Sequence, residues 1–372
     1  MSGERIARGL RWAVVVAVIG LAATLAGAFL VSARVFFAGW LAAYVYWISL
    51  PLTALALLMI HDLIGGDWGV VLRPLLEAAA ATLPLFVLVL LPIPLAGLAA
   101  LYPWARPDEA ATLPNTFYLN GAGFDGRAAA YYVVWLALVV LTLRRSRLGL
   151  LARDRAGSWV SAVGLIALGL TVSFAGIDGV MSLEPRWSST MFGMIFGSSE
   201  FITAFAVLVL AAVTVGLPAV ERDKARAVLG TILLVALLFW SYVEFVQFLG
   251  VWEENLTSEI PWYLHRFTGG WRAVAIAVAL GRFALPFLVL IWAPLRRQSV
   301  VLGALCAWLV AINLLYAWWL VLPAGGGGWE WPAVAAAVGI GGLWALAFLA
   351  WLKAGGTVAD RWLATPKRLG HA

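Results

Sequence analysis

Apolar residues in this chain come in long unbroken runs, not in the alternations or i, i+3, i+4 stripes that mark half-buried strands and surface helices. Stretches such as Val133 to Leu143 and Thr231 to Phe239 hold almost no polar position. An α-helix rises about 1.5 Å per residue, so roughly 20 such residues cross a hydrocarbon core of about 30 Å. The pattern predicts ten crossings, at residues 12–32, 36–60, 74–101, 126–143, 158–180, 190–216, 225–250, 272–293, 299–322 and 332–352. Transmembrane strands would need alternating segments of about ten residues, so a barrel is excluded. The expected fold is all-α, a polytopic integral membrane protein of about ten transmembrane helices. One domain spans residues 12–352, between tails at 1–11 and 353–372.

Composition points the same way. The 372 residues are 63% hydrophobic and 12% charged, and the mean hydropathy is +0.95. A water-soluble core could not hide that much apolar surface. The first run follows Arg5, Arg8 and Arg11, as in a signal peptide, yet it is long enough to span and no clean small-residue cleavage site follows it.

Charge sets the expected orientation, because segments rich in Lys and Arg stay on the cytoplasmic side. With the N-terminus inside, about 18 of the 25 basic residues fall on the cytoplasmic face. The richest segments hold Arg144, Arg145, Arg147, Arg153 and Arg155, then Arg222, Lys224 and Arg226, then the C-terminal tail. Both termini are therefore expected in the cytoplasm. The net charge of +6 follows from this bias and gives no reason to invoke nucleic acid. The single cysteine, Cys306, allows neither a disulfide framework nor an iron–sulfur cluster. His61, His265 and His371 lie at a helix end, in an outer loop and in the tail, which disfavours a haem held between helices. No metal site is expected. Any redox centres would belong to partners or to a diffusible quinone.

Two long outer loops, at about 102–126 and 251–271, exceed the usual connection length and read as docking surfaces. Gly325 to Gly328, framed by Pro323 and Pro332, reads as a flexible turn. Trp12, Trp104, Trp187, Trp252, Trp262, Trp271, Trp329 and Trp331 sit near span ends and read as interfacial anchors. Asn255-Leu256-Thr257 matches a glycosylation sequon without supporting context.

Ionisable groups at membrane depth are costly and often mark a pathway. Glu200 and Arg282 each lie about ten residues into a span, near the midplane. They read either as a proton-exchanging carboxylate tuned by a cation or as a static buried ion pair. Glu244 and Gln247 share a face of the seventh span with Trp240 and Tyr242 nearby. That face suits a quinol head group or the outer arm of a proton path; the plain alternative is an interhelical hydrogen bond. Asp178 closes the fifth span near Glu184, as a path exit or a solvated charge. His61 and Asp62 end the second span and Glu77 begins the third. Helix dipoles alone favour a cationic imidazole and a carboxylate there, whereas a titrating histidine also suits a proton intake mouth. Asn313 and Tyr316 share a face of the ninth span and are expected to pack or hydrogen-bond between helices.

Three blocks carry a family resemblance. They are Leu57-Leu58-Met59-Ile60-His61-Asp62-Leu63-Ile64-Gly65-Gly66-Asp67-Trp68-Gly69 with Arg73-Pro74-Leu75-Leu76-Glu77; Asp178-Gly179-Val180-Met181-Ser182-Leu183-Glu184-Pro185-Arg186-Trp187 with Ser189-Thr190-Met191-Phe192-Gly193; and Phe239-Trp240-Ser241-Tyr242 through Gln247-Phe248 to Pro261-Trp262-Tyr263-Leu264-His265-Arg266. Together they resemble the ActF-type membrane subunit of alternative complex III, a quinol:cytochrome c or quinol:oxidase oxidoreductase of the polysulfide-reductase-like (NrfD-like) membrane anchor superfamily. The resemblance runs from about Trp40 to Trp319. It implies two four-helix bundles, helices two to five and six to nine, flanked by the first and last helices in a bacterial inner membrane. It further implies partners: a multihaem cytochrome, an iron–sulfur protein, a related membrane subunit and a terminal oxidase. The family is described as quinone-binding, its sister subunit carries the better-supported quinol site, and this type is associated with proton conduction. Asp62 stands where the family commonly has a second histidine, Gly179 replaces a bulkier residue, and Arg186 replaces a histidine.

The expected role is thus a respiratory membrane subunit contributing a quinone-facing surface or a proton path. That path would run from His61, Asp62 and Glu77 through Glu200 and Arg282 to Glu244 and Asp178. A secondary transporter is the first alternative. It would show paired broken helices, and the Pro84, Pro92 and Pro94 kinks of the third span lack a convincing counterpart in the sequence. A purely structural anchor is the second.

Overall fold

A computed structural model describes residues 3–113, 115–147, 155–215, 223–257, 259–325 and 330–354. Among the described residues all regular structure is helical, and ten helices are long and apolar enough to cross a membrane. They are α1 (Glu4–Leu30), α2 (Ala33–Ile64), α3 (Leu72–Leu101), α4 (Gly121–Arg147), α5 (Ser158–Leu183), α6 (Phe192–Thr214), α7 (Lys224–Glu254), α8 (Gly269–Ile291), α9 (Ser299–Val321) and α10 (Trp331–Ala354). The protein is a multi-pass membrane protein. Several helices outrun their apolar stretch, α4 most clearly, because the last polar turn still completes its backbone bonds in the helix. Arg153, Arg222, Trp329, residues 326–328 and the tail from 355, with His371, lie outside the described residues.

The core is built around α2, which packs against α3, α4, α5, α6, α9 and α10. Lipid tails are as apolar as leucine, so helices associate through close packing and small residues. The contact of α1 with α10 shows this directly. A Cβ on Gly339 would stand 2.8 Å from the Leu21 backbone nitrogen, and one on Gly342 would run into the Ala17 backbone. Glycine at these positions lets two backbones touch.

Two spans are interrupted. In α3 the helix turns at Ala81 and Thr82, resumes at Leu83, and opens into a π-helical turn at Ile93–Gly97 that contains Pro94. In α8 a second π-helical turn, Ala279–Ala284, precedes Pro286. The missing counterpart of the α3 break therefore exists; it was hidden because a π turn needs no proline inside it. Each break is repaired from a neighbouring helix. The Trp40 indole of α2 donates to the Val89 carbonyl at 2.8 Å, and the Trp308 indole of α9 donates to the Gly281 carbonyl at 2.7 Å.

The loops fold back onto the helix ends. Tyr102 stacks on Trp104 at 4.7 Å and donates to the Gly179 carbonyl at 2.9 Å. In the following loop the short helix Ile260–Phe267 lays Trp262 on Trp187, with centroids 4.6 Å apart. Trp104, Trp187, Trp262 and Trp271 are consequently buried and serve as packing, while Trp12, Trp252 and Trp331 stay exposed as anchors would. Aromatic count near a span end does not distinguish the two uses; contact with a neighbouring ring does.

Substituting Gly339→Leu should force α1 from α10 and lower stability by about 1–3 kcal/mol. Thermal unfolding in detergent measures this. Gly250→Leu, which meets open space, should leave the midpoint unchanged or raise it.

Candidate functional site

At the end of α2 the chain turns through Gly65 and Gly66, both at positive φ, 67° and 106°, where a side chain would be strained. This turn brings the start of the next helix back over His61. A Cβ on Gly69 would overlap the His61 ring, so glycine there makes the approach possible. The imidazole is held from both sides: Arg73 Nη1 lies 3.2 Å from Nδ1, and Nε2 lies 3.1 Å from the Gly66 carbonyl. A guanidinium only donates and a carbonyl only accepts, so Nδ1 is the acceptor and Nε2 carries the proton. The ring is bound as the neutral tautomer, not as the dipole-stabilised cation that its place at a helix end suggests.

Arg73 gathers the rest of this cluster. Its Nε donates to Glu77 Oε1 at 2.9 Å, and its Nη2 stands 3.8 Å from Asp62 Oδ1. Ser146 at the end of α4 donates to Glu77, and Ser161 of α5 donates to Asp62 at 3.3 Å. His61, Asp62, Arg73 and Glu77 are all buried. The structure thus brings the three expected residues into one knot, organised by Arg73, which is not among them. The signal was present, since Arg73 and Glu77 are spaced i, i+4 on one helix.

The far end of α4 carries a second knot. Asp178 accepts from Arg127 Nε at 2.9 Å and from the Tyr131 hydroxyl at 2.7 Å, and is buried, not solvated. Arg127 lies over the Tyr118 ring at 3.9 Å. Burial first, then the Asp178 charge, pushes the Tyr118 phenol up to about 12. Glu184 is engaged elsewhere, accepting from Arg266 Nη1 at 2.5 Å and facing His265 Nδ1 at 3.0 Å. Arg266, 1% exposed, lies over Trp262 at 3.8 Å and donates to the Leu320 carbonyl at 2.7 Å. Burial lowers its guanidinium from the ordinary value, with the Glu184 charge opposing the shift.

Arg282 sits in the π turn of α8 with no exposed surface. Its guanidinium is 4.0 Å from the ring centroids of both Trp240 and Tyr316, and Nη2 donates to Ser199 Oγ at 2.8 Å. Desolvated cation–π contacts of this kind contribute about 2 kcal/mol. Tyr316 in turn donates to Glu244 Oε2 at 3.0 Å. Glu244 looks into a cavity of about 530 Å³ bounded by α7, α8, α9 and the short helix Ile260–Phe267. Phe248, Phe283 and Trp319 wall it, and the exposed rings of Tyr242 and Phe245 stand at its mouth toward the bilayer. The Tyr263 hydroxyl, also at this cavity, is buried and has no hydrogen-bond partner among the described residues. Burial and then the Glu244 charge push this phenol well above its ordinary value, so it remains a donor.

Three expectations about these residues change. Glu200 and Arg282 form no ion pair: the arginine is turned to Ser199 and the two rings, and Glu200 makes no hydrogen bond to any described residue. Gln247 accepts from Ser189 Oγ and does not line the Glu244 cavity, although it shares a helix face with Glu244. Among the described residues no hydrogen bond joins the His61 cluster to Glu200. Asn313 is buried as expected, but its side-chain amide has no partner among the described residues. No three His, Cys, Asp or Glu side chains converge as a metal site among the described residues.

Replacing Arg73 by Met should strand Asp62 and Glu77 without their countercharge and cost about 3–5 kcal/mol, read as a lowered unfolding midpoint in detergent. The double variant Asp62→Asn, Glu77→Gln in the Arg73→Met background should recover part of that loss. No family model matches the chain, and no curated protein matches it.

Proposed function

We propose that this chain is a membrane subunit of a bacterial respiratory quinol:cytochrome c or quinol:oxidase oxidoreductase, of the ActF type that its three sequence blocks resemble. In this reading α2–α5 and α6–α9 form two four-helix bundles flanked by α1 and α10, in the inner membrane with both termini cytoplasmic. The contacts of α3, α4 and α5 around α2, and of α6 with α7 and α9, support that grouping. The distribution of basic residues supports the orientation. Multihaem cytochrome, iron–sulfur protein, a related membrane subunit and a terminal oxidase are the proposed partners and carry the redox centres. Phe117, 94% exposed on the loop before α4, and Trp252 at the end of α7 are apolar contacts for such partners on one face.

The observation that carries this reading is the Glu244 cavity. It has the size of a small-molecule site, aromatic walls and a mouth toward lipid. A quinol is a flat apolar ring with one hydroxyl at each end. Glu244 accepts a hydrogen bond from one hydroxyl and Tyr263 donates one to the opposite oxygen; on oxidation the two electrons pass to the partners' redox centres and the two hydroxyl protons are released, one of them to Glu244. Arg282, acting through Tyr316, stabilises negative charge on Glu244 without touching the ligand. Protons then leave by the carboxylates toward Asp178, and the His61, Asp62 and Glu77 cluster provides intake from the other face.

The paired π turns favour a second reading, a secondary transporter, since interrupted helices from two halves of a chain often frame a midplane solute site. Purification from native membranes in mild detergent separates the two. Co-purifying cytochrome, seen by haem absorbance and mass spectrometry, is the expected result. A lone colourless protein that accumulates solute in proteoliposomes would establish the transporter. Within the complex, Glu244→Gln should lower quinol-dependent turnover by roughly 100-fold or more while assembly is retained.

A further inference from the structure

A second cavity, of about 630 Å³, lies between α2, α5, α6 and α7 on the other side of α7 from Glu244. Its rim carries Met194, in the first turn of α6, and Val235 and Phe239 at the middle of α7, all three exposed and so facing the bilayer. Its lining is almost wholly apolar, yet Glu200 sits in it, 7% exposed, with Oε2 fully buried and without a hydrogen-bond partner among the described residues. A carboxyl at membrane depth that no described residue bonds calls for a donor from outside them.

The glycines of this cavity make the same point independently. Gly164, Gly176 and Gly193, on the same two helices, are packed against Met59, Phe196 and Ser173, and a Cβ there would collide. Gly169 of α5 and Gly197 of α6, by contrast, line the cavity, and a Cβ on either would meet nothing within 4 Å. Glycine is a poor helix former, and no neighbour requires it at these two positions. Both leave open the space in front of Glu200.

We propose that this cavity is a lateral binding site for a lipid-soluble alcohol or phenol, a molecule with an apolar body and one hydroxyl that is bonded by Glu200. The body lies in the groove between α5 and α7, and the hydroxyl replaces the hydrogen bond that the helices withhold from the carboxyl. The site is separate from the Glu244 cavity and does not rest on its assignment.

The test uses dicyclohexylcarbodiimide, an apolar reagent for carboxylic acids, on native membranes containing the full chain. The acid O–H adds across one C=N bond: oxygen bonds to carbon, the proton passes to nitrogen, and the acyl group then migrates to nitrogen with nothing leaving. Peptide mass spectrometry should find one added reagent on Glu200, and none in Glu200→Gln. Gly169→Leu and Gly197→Leu should each slow labelling about tenfold, whereas Glu244→Gln should leave it unchanged. In the unmodified protein, farnesol or 4-dodecylphenol should protect Glu200, and the stronger of the two identifies the natural class. Farnesyl methyl ether and 4-dodecylanisole, of like shape but without a donor, should not. An unlabelled Glu200, filled cavities that label at the original rate, or ethers that protect as well as the hydroxyl compounds would each overturn the proposal.

Discussion

Hydrocarbon offers a polar group nothing to bond to, and this constraint orders the whole molecule. It selects helices for the backbone, and where a helix gives up a bond it recruits a donor from elsewhere. Trp40 and Trp308 do this at the two widened turns, each from an adjacent span. The same rule governs charge. Arg73 is set between carboxylates, Arg127 against Asp178, Arg266 against Glu184, and Arg282 between two aromatic faces. Glu200, which makes no hydrogen bond to any described residue, stands out against that background.

Arg282 shows how one cation can hold several helices. It belongs to α8, donates to Ser199 of α6, and is enclosed by Trp240 of α7 and Tyr316 of α9. Four spans meet on a single guanidinium. Aromatic faces shield the charge without competing for its protons, and this leaves Tyr316 free to bond Glu244. The widened turn that carries Arg282 also lets its side chain leave α8 at a point where a regular turn would direct it differently.

Span number and type were legible because about 20 apolar residues in a row leave a membrane helix as the only economical reading. Partner choice was much less legible. Counting residues from a span end gives the depth of Glu200 and Arg282, which is indeed similar, but not the direction each side chain takes around its helix. Gln247 was misplaced for a related reason: a shared helix face does not mean a shared cavity when a loop residue such as Ser189 reaches one member first. The His61 segment was read more fully, since its glycines, Arg73 and Glu77 lie close together in the chain and local geometry decides most of their contacts. Arg127 and Tyr131 were missed as partners of Asp178 because about 50 residues and a change of helix separate them.

The glycine contact between α1 and α10 bears on how the protein is made. Gly20 and Gly339 lie about 320 residues apart in the chain, and synthesis proceeds at about 5–20 residues per second. For tens of seconds after α1 enters the bilayer its partner does not yet exist. During that interval α1, with its exposed glycine face, must be sheltered by the insertion machinery or by lipid. Closure of the helical assembly is therefore a late event in biogenesis, and a ribosome stalled before α10 would leave a membrane intermediate whose first helix is unclaimed.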